Sequence, residues 1–243
     1  MMDSALQMQK VAGFESTAYA YVRGEIVWAG DASSGDHPCN AQRPWQPPPF
    51  RGDALSLRRG ARLCLRLIEE SAAKGPDDAK GLLLWLTGQD LPFPLHLATA
   101  RFDALRAALH ADDLKAFESA ALRVLGLGPG LTPSGDDFVG GIFFALAHAP
   151  RASWRGDLPA VQARMRAAAK TATNVISAAL LDDLMAGRSH AALHELLAAL
   201  QGLQECEIAR ATQGLLRLGA SSGADMLAGL LLTLNTPTPE TRT

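Results

Sequence analysis

The chain contains no block of basic residues and no apolar run long enough to cross a bilayer. The first absence removes the electrostatic footprint that non-specific nucleic-acid or membrane-surface binding needs, and the formal net charge is −2. The second argues against a transmembrane helix, which takes about 20 consecutive apolar residues. Cysteine is scarce. Cys39, Cys64 and Cys206 are odd in number, scattered, and in no C-x-x-C pair, so neither a disulfide framework nor a cysteine-rich zinc site is expected. The first ten residues lack the basic start and apolar core of a signal peptide, which makes a reduced cytoplasm the expected compartment.

What is present is an ordinary globular balance. Of 243 residues 48% are hydrophobic and 20% charged, enough to bury one large core or two small ones. Alanine and leucine dominate from residue 100 onward, which favours helices. The expected fold is α+β and mainly α. A small β-containing N-terminal segment (1–52) precedes a helical domain (53–235), and a polar, Pro-rich tail (236–243) is expected to fray.

Thr17, Tyr19 and Tyr21 alternate along one strand, Arg23-Gly24-Glu25 is a turn, and Ile26-Val27-Trp28 returns. Pro47-Pro48-Pro49 then ends any regular element. Ala54, Leu57, Ala61, Cys64, Leu65 and Ile68 fall at helical spacing across 53–74, with Gly75-Pro76-Asp77 as the stop. The run Leu82 to Leu86 is buried but too short to assign by periodicity. Further helices are expected near 101–110, 112–125, 134–148, 158–186, 189–201, 204–218 and 222–234. The 158–186 helix is a candidate for a split near Thr171–Asn174.

One self-similarity stands out. Residues 134–146 begin Ser134-Gly-Asp-Asp137 and reach Gly141; residues 222–234 begin Ser222-Gly-Ala-Asp225 and reach Gly229. Both are Ser-Gly-x-Asp-x-x-x-Gly before an apolar run, and each follows a Leu-Gly step and an amphipathic helix. This reads as a helix–loop–helix unit used twice, about a pseudo-twofold axis. Two copies are too few for a solenoid.

Two readings of the motif stay open. In one, Ser134 with Asp137 and Ser222 with Asp225 are capping boxes, and Gly141 and Gly229 let two helices approach. In the other, Gly126 to Pro133 is a loop whose glycines let backbone approach a small anion at a helix start. Asp136, which a capping box does not need, could then take a proton or, beside Asp137, bind Mg²⁺. No Gly-Lys-Ser/Thr follows, so this is not a nucleotide-binding P-loop.

The stretch Leu125-Gly-Leu-Gly-Pro-Gly-Leu-Thr-Pro-Ser-Gly-Asp-Asp137, with Leu218-Gly-Ala-Ser-Ser-Gly-Ala-Asp225 downstream, resembles the AllH family. The likeness extends loosely from about Arg101 to Leu234 and includes Thr173 to Ser177. It implies one subunit of a bacterial oxamate carbamoyltransferase in allantoin breakdown. Such an enzyme exchanges a carbamoyl group between N-carbamoyl-2-oxoglycine and phosphate. Gly128, Gly130, Thr132, Ser134, Asp136 and Asp137 match the first family motif, and Ser221, Ser222 and Asp225 the second. Family members often carry histidine where this chain has Ala220, so no imidazole acts there.

Asp136 and Asp137 are therefore the candidate catalytic acids. Gly128, Gly130, Thr132, Ser134, Asn174, Ser177, Ser221, Ser222 and Asp225 are the candidates to bind a small carboxylate or phosphate. Asn174 and Ser177 either line that pocket or satisfy buried backbone. His190 and His194 stand four apart on an expected helix, where a surface pair is as good an account as zinc ligation. No metal site is assigned, and no Cys/His or Ser/His pairing marks a nucleophile. Other protein subunits are the expected partners; nucleic acid and membrane are not. The alternatives are a non-catalytic anion-binding or regulatory protein, and a structural subunit.

Overall fold

A computed structural model describes His37, residues 45–72 and 80–239 in full, and the backbone alone of 9–13, 17–22 and 25–30. The turn residues Arg23 and Gly24, Cys39, the stop at Gly75-Pro76-Asp77 and the tail beyond 239 lie outside the described residues. The backbone strands β1 (Gln9–Gly13), β2 (Thr17–Val22) and β3 (Glu25–Gly30) run antiparallel in that order, with Tyr19 opposite Trp28.

The molecule is mainly helical. Helix α1 (Ala54–Ala72) starts where the Asp53 carboxylate accepts the Ser56 N–H at 2.8 Å. It buries Leu57, Ala61 and Cys64 while Arg59, Arg62 and Arg66 face solvent. Arg58 departs from that pattern: it is buried and donates to the Thr236 carbonyl at 3.1 Å. The unassigned apolar run is a short helix, α2 (Leu82–Leu86). Next come α3 (Thr99–Ala111) and α4 (Leu114–Leu122), the latter capped by Asp113.

The segment 158–186 divides into α6 (Leu158–Ala172) and α7 (Val175–Met185), after α5 (Ser134–His148). Thr173 is fully extended, and the Asn174 side chain accepts the N–H groups of Ile176 and Ser177 to start α7. Helices α8 (Ala191–Gly202), α9 (Glu205–Leu216) and α10 (Ser222–Asn235) complete the body.

Helices α5 and α10 are the axis of the fold. Ser134 to Leu146 and Gly223 to Leu234 are buried throughout, as an all-round apolar helix requires. They cross at two glycines. A Cβ on Gly141 would sit 2.1 Å from the Met226 carbonyl oxygen, and one on Gly229 would sit 2.0 Å from that of Phe138. One core cluster joins this pair to α2, α3, α4, α6 and α7 through Trp85, Phe102, Phe117, Phe138 and Trp154. A second joins it to α1, α8 and α9 through Leu57, Phe144, Leu197, Leu215 and Leu230. Among the described residues no helix is long and apolar enough to cross a membrane.

The expectation that the chain frays from residue 236 is corrected for its first residues. Thr236 and Thr238 are buried, and Thr236 Oγ donates to the Leu232 carbonyl at 2.7 Å. Its polar groups are satisfied inside, with Arg58 taking the main-chain carbonyl, so polarity does not force this stretch into water.

Candidate functional site

The two motifs fold by the same local rules. After α4, Leu127 N–H bonds the Val124 carbonyl, and its own carbonyl accepts Gly135 N–H at 2.8 Å. After α9, Leu218 N–H bonds Leu215, and its carbonyl accepts Gly223 N–H at 3.0 Å. A Cβ on either motif glycine would lie 1.9 Å from a carbonyl oxygen, that of Val124 or of Leu215, so each Ser-Gly step must be glycine. The loops differ in length: seven residues separate Leu127 from Gly135, and four separate Leu218 from Gly223. The longer loop puts Pro129 and Gly130 in solvent.

The capping-box expectation does not survive. The residues at the cap positions are Pro133 and Ser221, neither making a side-chain cap bond, and Ser134 and Ser222 are the first helical residues. Turned one position into the helix, each motif serine reaches across to the other motif. Thr132 and Ser222 are joined hydroxyl to hydroxyl at 2.8 Å. That pair faces Asp137, while the Ser134 and Ser221 hydroxyls face Asp225. The exchange is reciprocal. Thr132, Ser221 and Ser222 are half-buried; the two carboxyl groups lie beneath them.

Those carboxyls are electrostatically unusual. Burial, followed by the neighbouring Asp225 charge, pushes Asp137 well above the usual carboxylate range, against the pull of the Ser222 and Thr132 hydroxyls. Burial raises Asp225 to about 6, opposed by the Leu82 N–H, the two serines and the Lys80 charge. Each carboxyl keeps one buried oxygen, Oδ2, without a hydrogen-bond partner. Two such acids do not both ionise readily, so near neutrality one can donate a proton while the other accepts.

Sequence reasoning missed the third wall. The Leu82 N–H donates to Asp225 Oδ1 at 2.6 Å, from a segment 143 positions away. Gly81, in the left-handed region at φ 56°, makes that approach possible, and Lys80 adds the positive charge. A glycine just ahead of an apolar run was the available signal, but nothing local tied it to Asp225.

Asp136 behaves differently from the catalytic acid expected. Its Oδ1 accepts Gly126 N–H at 2.7 Å, and its Oδ2 accepts the hydroxyls of Ser177, at 2.6 Å, and Thr173. Both oxygens are engaged, so this acid ties the loop to the α6–α7 junction. Asn174 helps, donating to the Leu131 carbonyl at 2.7 Å while capping α7. Asn174 and Ser177 thus satisfy buried polar groups rather than line an opening. The same engagement leaves neither Asp136 oxygen free to be shared with Asp137. Among the described residues no group of three His, Cys, Asp or Glu is placed to hold a metal ion.

Gly128, at φ 118°, approaches the Ser134 backbone, where a Cβ would be 2.9 Å from the amide nitrogen. Gly130, at φ 97°, has open space around it. His190 and His194 are not a surface pair. His190 precedes α8 at its cap position and His194 lies in its first turn, and both are buried.

No curated protein and no solved structure matches the chain. Residues 124–234 match the family model described as oxamate carbamoyltransferase subunit AllH. That span runs from just after α4 to α10, contains both motifs and both raised acids, and supports the AllH family resemblance over that part of the chain.

Proposed function

We propose that the chain is an AllH-type subunit of a carbamoyltransferase-type enzyme, and that its crossed motifs hold the small anionic substrate. The observation that carries this reading is the reciprocal pairing of Asp137 and Asp225 with hydroxyls of the opposite motif. With one of the two acids protonated, a donor and an acceptor stand side by side under a layer of three half-buried hydroxyls. A carbamoyl group, with a carbonyl to accept and an amide to donate, complements that arrangement. Lys80 and the starts of α5 and α10 supply positive potential for the carboxylate or phosphate end. Asp137 and Asp225 replace Asp136 as the acids expected to meet substrate.

The test is a thermal-shift series with oxamate, carbamoyl phosphate, phosphate and sulfate on wild type and on T132A/S222A. A ligand at 100 times its Kd stabilises by about 2.7 kcal/mol. The expected result is a shift for wild type that the double variant loses while still folding. Equal shifts in both proteins would move the ligand elsewhere.

A second reading is a small-anion-binding or regulatory subunit without chemistry of its own, favoured by Ala220, which offers no imidazole. Activity of the enzyme assembled with its other subunits separates the two. D137N and D225N abolish turnover under the first reading and leave it intact under the second.

A further inference from the structure

Away from the acid pair, four histidines gather where the chain leading into α1 crosses α5 and α8. Three ring pairs fasten that chain down. His37 meets His190 at 4.7 Å between centroids, Trp45 meets His194 at 5.1 Å, and Phe50 meets His148 at 5.1 Å. On the helical side the rings are themselves linked. Phe144 lies 4.5 Å from His148 and 5.0 Å from His194, and the two histidines are 6.0 Å apart. Each of these three ring pairs therefore includes an imidazole, and His37, His190 and His194 are buried.

We infer that this cluster is an acid-operated latch: protonation of its imidazoles releases the segment carrying Trp45 and Phe50 from α5 and α8. An apolar ring stack holds neutral imidazoles well and charged ones badly. Among the described residues, the charged and titratable groups facing the rings come from each packed element. They are His148 on α5, Asp183 on α7, Arg188 and His190 between α7 and α8, His194 on α8, and Arg51 beside it on the segment itself. Asp183 Oδ2 lies 3.9 Å from His37 Nε2, but Oδ1 of the same carboxylate already holds Arg188 at 2.6 Å. The Arg188 charge and the neighbouring histidines all oppose protonation.

Burial, then the His194 and Arg188 charges, lowers His37 to about 4; burial, then His148, lowers His194 to about 4. Released, both titrate near 6.5. The free segment binds more protons between those values, so the latch is fully closed above 6.5 and opens as pH falls toward 4. Asp53, which caps α1 next to the segment, titrates below 3.8 and outside that window. Opening uncovers the groove in which Pro48 to Gly52 lie against His194, Leu197 and Gln201.

Fluorine NMR of the full chain labelled with 5-fluorotryptophan reads the event directly. Trp45 reports the segment, and Trp85 and Trp154, buried in the core, report the body. Between pH 6.5 and 4 the Trp45 signal moves to the position of free tryptophan while Trp85 and Trp154 hold theirs. H148F/H194F, which keeps rings but removes two protonation sites, shifts that transition to lower pH or removes it. A Trp45 signal unmoved at pH 4, or one that moves together with Trp85 and Trp154, overturns the latch in wild type alone. An unshifted transition in the folded double variant overturns it too.

Discussion

Gly81 and Asp225 are packed so closely that a Cβ on the glycine would lie 2.3 Å from the carboxylate Oδ1. The same oxygen receives the next residue's N–H, so the contact is both close and polar. Its φ of 56° adds a second reason for glycine. G81A is expected to cost about 2 kcal/mol or more, from the left-handed backbone and the displaced carboxylate together. For a chain of this size that is roughly a 4–8 °C fall in Tm. Calorimetry of G81A checks it, and an unchanged Tm would mean the α2 entry can move away from Asp225.

The raised acids give stability a distinct pH dependence. Unfolded, Asp225 ionises near 3.8, and folded it ionises near 6. Between those values the native state holds the extra proton, so the stabilisation from this group is full below 3.8 and lost as pH rises through 6. The span corresponds to about 3 kcal/mol. Asp137, also raised, acts in the same direction. Urea unfolding of wild type and D225N from pH 4 to 7.5 should show the variant gaining relative to wild type as pH rises. The lowered histidines change stability in the opposite direction over part of that range, so the difference between the two proteins is the quantity to read.

Asp136 should prove a structural acid. D136A strands the Gly126 N–H and the hydroxyls of Thr173 and Ser177, at roughly 1–3 kcal/mol for each buried group left unsatisfied. Loss of folding at lower urea is expected to accompany any loss of function. T132A, on a half-buried hydroxyl, should leave stability within about 1 kcal/mol of wild type. A D136A protein as stable as wild type, yet inactive in the assembled enzyme, would restore this residue to the chemistry.

The helix crossing admits no methyl group. In G141A the new Cβ would meet the Met226 carbonyl oxygen, and in G229A that of Phe138. Both partners are backbone inside buried helices and have no rotamer to change. Each substitution is expected to cost about 1–3 kcal/mol, as overpacking does. The matching approaches of 2.1 and 2.0 Å further predict similar values for the two, and urea denaturation of both variants measures the ratio.

Much of the helical order was legible in the residues. The 3.6 period placed α1, and the split expected near Thr171–Asn174 falls between Ala172 and Val175. The repeat in Ser-Gly-x-Asp was visible as text, and so was its relation to the AllH family. The same text gave the wrong capping residues. A serine followed by an acid three positions later reads as a capping box, and only the path of the preceding loop moved each helix start one residue earlier.

The sequence by itself determined that two similar helix starts exist and that the helices behind them are too apolar to face water. Those are properties of neighbours along the chain, set by backbone sterics and by the cost of exposing apolar surface. Tertiary structure alone decided which acid does what. Asp136 and Asp137 are adjacent in sequence and about 100° apart around a helix axis, so one turns to Thr173 and Ser177 and the other to Asp225. Burial on one side with three donors, and on the other with a like charge, makes the first a tie and the second a proton-holding partner.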